Sequence, residues 1–327
     1  MFHTIHKSIK KRIRRYELTH RLEARTCRVF RRRMGYALNL DQPKTLSEKI
    51  QWLKLYYRNP LLTLCADKVK VRDYVAKKIG PEYLTPVYGV YKNTSEIDIS
   101  QLPESFVLKP NHGSGMVMIC RNKQTENWPE NYSKLDSWIS ENFFYENGEW
   151  QYKDIPPRIM AEELLQGRII DYGFFCFHGQ PLLCNVMGFD DAQSHRYKEA
   201  FYDTDYHLLE LHQAVAPEAF TKPACWEKML EIARKLSSDF LFVRVDLRVI
   251  NGQIRFGELT FTPANGTSPF HPAGWDTRLG SHLHLEKAEP QFLIKQPPKK
   301  NLSIHNKQKH DIPSFHEVTC HAFILRK

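Results

Sequence analysis

Asn251-Gly252 stands between two β-rich runs, residues 240–250 and 253–260, and no other feature constrains the fold of this chain as tightly. An Asn-Gly pair so flanked predicts a hairpin with a two-residue turn, because both residues tolerate positive φ. One strand carries Arg244 and Asp246, which share a face because side chains alternate along a strand. The other carries Glu258 and Thr260. A strict two-residue turn pairs Asp246 with Gly257 and sends Glu258 to the opposite face. If both carboxylates hold one cation, the register has to shift by a residue. We therefore expect a bulge, or a three-residue loop with Gly252 left-handed. Carboxylates converging across a hairpin suit Mg²⁺ on nucleotide phosphates. The other reading is an exposed, charged hairpin face.

Upstream of this hairpin the chain reads as helices first and short strands later. Thr45-Leu46-Ser47-Glu48 is a capping box, so a helix is expected from 45 to about 57. A second helix is predicted over 66–78, with Val69, Val71, Val75 and Ile79 on its apolar face and Gly80-Pro81 as its stop. Residues 87–91, 106–109 and 116–121 are β-rich, and 131–144 reads as helix. Residues 158–165, 170–178 and 182–188 read as strands, the last two joined at Gly179-Gln180. Residues 226–236 read as helix, and 286–327, rich in Lys, Gln and Pro, as a loosely attached tail. This order predicts an α+β protein with mostly antiparallel sheets.

Four further stretches carry chemistry. Asp67-Lys68 opens the predicted second helix, and Lys109 ends the 106–109 strand. Lysines on separate elements can both reach one polyphosphate as mobile point charges. Asn111-His112-Gly113-Ser114-Gly115 follows directly; its glycines let backbone amides approach phosphate oxygens, although it is not a Walker loop. Glu162-Glu163 lies in the apolar run 159–165, ending at Leu165, where a buried carboxylate needs partners such as a nucleotide's amine and ribose hydroxyls. Each stretch alone also reads as ordinary surface, turn or strand end.

The charge is segregated. Residues 1–33 hold twelve basic residues and two acids, a net of +10, which is the formal charge of the whole chain. The body is neutral, which argues against a nucleic-acid-binding surface spread over the fold. In this arm Phe2, Ile5, Ile9, Ile13 and Tyr16 recur at helical spacing among lysines and arginines. A narrow apolar stripe on a cationic helix reads as an interfacial helix for an anionic membrane surface. A solvated arm, one packed on its own body, or one that binds nucleic acid are the alternatives. No apolar run reaches the ~18 residues of a membrane span, and no signal-peptide core opens the chain. Seven cysteines with no C-x-x-C pair fit buried thiols in a reducing cytosol. A cytoplasmic protein, peripheral at the inner face of the membrane, is expected.

Taken together these stretches resemble the ATP-grasp superfamily, and most closely the TupA-like ATP-grasp family, named for teichuronopeptide biosynthesis. The carriers are Pro43 to Lys49 with Trp52, Ala66-Asp67-Lys68, Leu102 to Gly115, Phe174 to Phe177 before Gly179, and Gly257 to Pro263. The resemblance implies an α+β ATP-grasp fold in which two lobes grip ATP. It implies a helical region at 39–104, a small lobe at 105–165 and a large lobe at 166–286; the basic arm, taken as 1–38, and the tail, 287–327, lie outside it. By the same resemblance Lys68 and Lys109 hold the α- and β-phosphates, and His112, Gly113, Ser114 and Gly115 close over the β- and γ-phosphates. Glu162 and Glu163 with Leu165 meet adenosine, and Asp171 reaches ribose or substrate. Asp246, Glu258 and Thr260 take Mg²⁺, with Thr260 where the family has asparagine, and Arg244 with Lys109 stabilises the reacting acyl phosphate. Asn265, His271 and Arg278 are substrate candidates on the loops beyond. The implied reaction is ATP-dependent carboxylate–amine ligation. It joins an amino acid or amine to a uronic acid or other acidic glycan in surface-polysaccharide assembly. Two rivals stay open: a glycosyltransferase using Asp203-Thr204-Asp205, a D-x-D of the kind that binds a metal and a sugar diphosphate, and an ATP-dependent glycan kinase.

Overall fold

The computed structural model describes residues 2–167, 169–189, 197–213 and 215–294. The basic N-terminus folds as two helices, α1 (Phe2–His20) and α2 (Leu22–Met34). They do not form an arm separable from the body. Leu18, Thr26 and Phe30 are buried, Phe30 meets Tyr36 edge-on at 5.1 Å between ring centroids, and the Tyr56 hydroxyl donates to Glu23 at 2.9 Å. Of the readings left open for the arm, the solvated one fails: its rear residues are buried.

α3 (Leu46–Tyr56) begins at the expected capping box, with Thr45 Oγ1 accepting from the Glu48 amide at 3.1 Å and Glu48 accepting from the Thr45 amide at 3.0 Å. The helix predicted over 66–78 starts later, as α5 (Val71–Ile79), and an unpredicted α4 (Pro60–Ala66) precedes it. Between them Asp67 Oδ1 accepts from the Val69 amide at 2.9 Å, a local turn that competes with helix. The result is that Lys68 sits on a turn rather than at a helix start.

Next come β1 (Val87–Tyr91), β2 (Phe106–Pro110), β3 (Met118–Cys120), α6 (Trp128–Ile139), the short α7 (Phe144–Asn147) and β4 (Ile159–Glu163). The four strands form an antiparallel sheet in the order β1-β4-β2-β3. Because β1 pairs with β4, this sheet reaches back to Val87, ahead of the boundary expected at residue 105. Phe106, Leu108, Leu135 and Ile159 form its dry core under α6.

The second sheet comprises β5 (Ile170–Phe177), β6 (Gln180–Phe189), β7 (Tyr197–Asp203), β8 (Phe242–Ile250) and β9 (Gln253–Thr260), in the antiparallel order β7-β6-β5-β8-β9. The β5–β6 turn falls at His178-Gly179, both at positive φ, one residue earlier than expected. β7 was not anticipated; Lys198 and Glu199 interrupt its apolar pattern. α8 (Trp226–Ser237) covers one face, with Trp226 against Phe174 at 5.2 Å between rings. The other face carries Arg244, Asp246 and Glu258. α9 (Gly274–Ser281) packs on α3, where Asp276 accepts from the Ser47 amide at 2.9 Å. Residues 290–294 are not loose: Leu293 bridges to Tyr57, and Phe292 accepts from the Arg58 amide at 2.7 Å. The rest of the expected tail, 295–327, lies outside the described residues.

Candidate active site

β8 and β9 turn on Asn251 at φ 51° and Gly252 at φ 77°, with Ile250 opposite Gln253. The ladder runs regularly to Leu247 opposite Phe256 and then slips, so that Asp246 faces Glu258 and Gly257 is the extra residue. The expected bulge is there, in the strand rather than at the turn. A Cβ on Gly257 would lie 2.8 Å from the Asp246 carbonyl oxygen, so only glycine lets the strand pass this close. The slip places Asp246 Oδ2 and Glu258 Oε1 each 2.8 Å from the Thr260 hydroxyl. Arg244 grips Asp246 with two parallel donors, Nε to Oδ1 at 2.6 Å and Nη2 to Oδ2 at 2.8 Å. Opposite them on β5 stands Gly173, where a Cβ would come within 2.9 Å of both Arg244 and Asp246.

The two acids are pushed in opposite directions. Burial raises Asp246, against the pull of Arg244. Burial pushes Glu258 up as well, but Lys68, the Thr260 hydroxyl, Arg244 and Arg248 more than reverse it and hold it ionised.

Lys68 and the glycine loop, far apart in sequence, are stapled together. Asn111 Nδ2 donates to Asp67 Oδ1 at 2.9 Å, the Lys68 amide donates to the Asn111 carbonyl at 3.0 Å, and Lys68 Nζ donates to the Gly113 carbonyl. Burial pulls Lys68 below the usual lysine range, partly offset by Glu258. Lys109 pairs with Glu162 at 2.5 Å on the neighbouring strand. Lys68, Lys109 and Glu162 from the first half of the chain and Arg248 and Glu258 from the second line one cleft of about 580 Å³, its open mouth included. The donors suit a magnesium nucleotide: two carboxylates and a hydroxyl are hard oxygen ligands for the ion, and two ammonium groups match polyphosphate.

The sequence model of the TupA-like ATP-grasp family matches residues 48–284. The chain belongs to that family. A search of curated proteins finds no match. Among solved structures, D-alanine–D-alanine ligase from Bacillus anthracis, complexed with ATP, is 17% identical over 68% of this chain and 66% of its own, with a TM-score of 0.43. L-amino acid ligase from Bacillus licheniformis is 16% identical over 65% of this chain and 48% of its own, with a TM-score of 0.42. The chain thus spans about half to two thirds of the length of these two ligases.

Within this ATP-grasp protein the remaining expected residues are dispersed. His112 is buried with both ring nitrogens engaged, Nε2 with the Glu141 carbonyl at 2.9 Å and Nδ1 with Asn111 Oδ1 at 3.3 Å, so its imidazole braces the loop. A Cβ on Gly113 would have to displace the tip of the Met116 side chain and would meet the Phe143 ring at 3.0 Å. Ser114 and Gly115 are exposed, Gly115 at φ 75°. Glu162 lines the cleft and Glu163 does not, because neighbours on a strand point to opposite faces. Leu165 is half-buried just past β4. Asp171 is paired with Arg248 at 2.8 Å.

Asn265 sits in a loop of three successive positive-φ residues, Ala264, Asn265 and Gly266, directly after β9. Neither His271 nor Arg278 lines the cleft. His271 is exposed and stacks on His212 at 5.3 Å, and Arg278 lies over the Trp275 ring at 4.5 Å. Asp203 spends its oxygens on its own turn, accepting from the Asp205 and His207 amides at 3.0 and 2.8 Å, on β7 at the sheet edge away from β9.

Four contributors were missed in the sequence. Arg248 is one alternation beyond Asp246, so the period-two rule that joined Arg244 to Asp246 could have found it. Tyr152, which also lines the cleft, carries no such signal. Gln51 and Lys54 hide on the buried side of α3. Gln51 Nε2 donates to the Asn265 and Gly266 carbonyls at 2.7 and 3.0 Å, and Lys54 Nζ donates to Asn265 Oδ1 at 2.8 Å. They pin the strained loop at the end of the acid-bearing strand.

Proposed function

We propose that the protein is an ATP-dependent carboxylate–amine ligase acting through an acyl phosphate. The observation that carries this is the bulged β8–β9 pair, which aims two carboxylates and a hydroxyl at one point beside a cleft bearing two lysines. A substrate carboxylate oxygen attacks the γ-phosphorus of ATP, the bond to the bridging oxygen breaks, and ADP leaves. An amine nitrogen then attacks the acyl carbon, the carbon–oxygen bond to phosphate breaks, inorganic phosphate departs and the nitrogen loses a proton to solvent. Carboxylate alone is a poor acyl donor because its leaving group would be oxide. Lys68 and Lys109 neutralise the transferring phosphoryl group, and Arg244, two atoms deep in Asp246, is fixed where oxyanion charge develops. Asp246, Glu258 and Thr260 would hold Mg²⁺, which supplies charge neutralisation on the phosphates when bound. For Lys109 to reach phosphate, its pair with Glu162 has to open, and that frees Glu162 for adenosine.

On the family's association with teichuronopeptide assembly, we assign the acid to a uronic acid or amino acid of a surface polysaccharide, and the amine to an amino acid or amino sugar. The test is ATP turnover screened against acids and amines, with hydroxylamine as a trap. Hydroxamate from the acid, and an amide product of matching mass, support the ligase. A product heavier by a phosphate makes it a kinase. UDP release from a UDP-sugar, abolished by Asp203→Asn, makes it a glycosyltransferase.

A further inference from the structure

The ligase reading does not use α1, yet α1 has two opposite faces with different fates. One face docks on the body. Lys11 pairs with Glu141, Arg14 donates to both oxygens of Glu146 at 2.7 and 2.5 Å, and Arg15 lies over the Tyr145 ring at 4.4 Å. Leu18 on that face is 2% exposed, and with Leu22 it fills the space beside Gly148. The other face carries Ile9, Ile13 and Tyr16 at steps of four and three, and they are 50, 55 and 55% exposed. Large apolar side chains in one row, uncovered on a helix fixed from behind, need an occupant.

We infer that this row is a docking surface for an anionic lipid bilayer, with the helix lying in the plane of the interface. Charge complementarity names the occupant. Lys10 and Arg12 flank the row, and Arg21, Arg31, Arg32 and Arg33 are exposed close by in sequence. The segment 1–33 carries the whole +10 of the chain. Arginines alone would serve a nucleic acid equally well, but phosphate backbones do not call for an isoleucine row, whereas acyl chains do. Among the described residues no helix is long and apolar enough to cross a membrane, so the contact is lateral. The docked face also has a consequence for orientation. Lys11 holds Glu141, whose carbonyl bonds His112 of the glycine loop, so a membrane-bound α1 fixes the glycine-loop side of the cleft relative to the bilayer. That placement suits an acceptor carried on a lipid.

The experiment uses the full chain and no nucleotide, so it fails or succeeds independently of the ligase reading. Flotation is measured with vesicles of phosphatidylcholine and phosphatidylglycerol in equal parts, with phosphatidylcholine vesicles alone, and with a homopolymeric RNA as competitor. The wild-type protein is expected to float with the anionic vesicles only. Ile9→Glu/Ile13→Glu should weaken that binding at least about tenfold, and Lys10→Glu/Arg12→Glu by a similar factor that vanishes at high salt. Both pairs are exposed, so thermal unfolding should match wild type and certify the fold. The inference is overturned if wild type does not float, if the isoleucine pair binds vesicles like wild type, or if RNA displaces the protein with no dependence on the isoleucines.

Discussion

Lys54→Met isolates the buried lysine that holds the loop after the acid-bearing strand. Lys54 is 2% exposed, and its Nζ donates to Asn265 Oδ1 at 2.8 Å. Burial pulls it from 10.5 to about 8, although Glu149 nearby opposes the fall. A lysine depressed in the folded state binds fewer protons there than in the unfolded chain between those two values. Stability therefore rises with pH across that window and is flat below it. Integrating the two titrations gives a gain of about 2 kcal/mol between pH values of about 7 and 9.5. At neutral pH the full cost of about 3 kcal/mol is present; removing the charge relieves it, while the orphaned Asn265 oxygen costs about 1–3 kcal/mol. The variant should thus lie close to wild type near neutrality. Denaturant unfolding of both proteins across this pH range is the assay, and the quantity of interest is the difference curve, in which other titrating groups cancel. It should climb by about 2 kcal/mol, a relative shift in thermal midpoint of about 3 °C for a chain of this length. A flat difference curve would refute the reasoning, because Lys54 would then keep an ordinary proton affinity in the folded state.

Three other outcomes follow from the geometry. Gly257→Ala places a methyl 2.8 Å from the Asp246 carbonyl oxygen; it should cost about 1–3 kcal/mol in unfolding experiments and reduce ATP turnover at least tenfold, because the two acids separate. Lys109→Ala and Glu258→Gln should each abolish turnover while leaving the circular dichroism spectrum unchanged. Phe30→Ala empties a site that is 0% exposed and should cost about 3–5 kcal/mol, which calorimetry would register as a midpoint lower by about 4–7 °C; a silent substitution would show that α2 is not packed as described.

The strands and helices that could be read from sequence were those with a single reason to exist. The capping box at Thr45 and the amphipathic α8 each satisfy a local rule, and both stand where the rule puts them. The late start of the helix expected at 66 was hidden because Asp67 spends its carboxylate on a turn and on Asn111, a partner 44 residues away. β7 escaped because a strand that carries polar residues on the face beside the site loses the alternation by which strands are recognised. The packing of α1 and α2 on the body was illegible for a related reason. Arg14 and Lys11 look like solvated cations until Glu146 and Glu141 are brought opposite them.

Parity, not composition, gave the deepest foothold on the site. Counting residues back from Asn251-Gly252 showed that the two acids could meet only through an extra residue, and Gly257, next to Glu258, is that residue. The same count yields the face, so it extends to Arg248 and Thr260 without further information. It cannot extend to α3, because nothing in the spacing of Gln51 and Lys54 says that their polar ends meet a loop more than 200 residues later. Those two side chains supply what the hairpin lacks. The bulge aims the acids, and three consecutive positive-φ residues at 264–266 are braced from α3, where a buried amide satisfies the Asn265 and Gly266 carbonyls and a buried ammonium the Asn265 side chain. If this loop contacts substrate, as expected for Asn265, its ordering beforehand lowers the entropic cost of binding. The buried lysine, costly in isolation, is what stiffens the loop beside the candidate metal site.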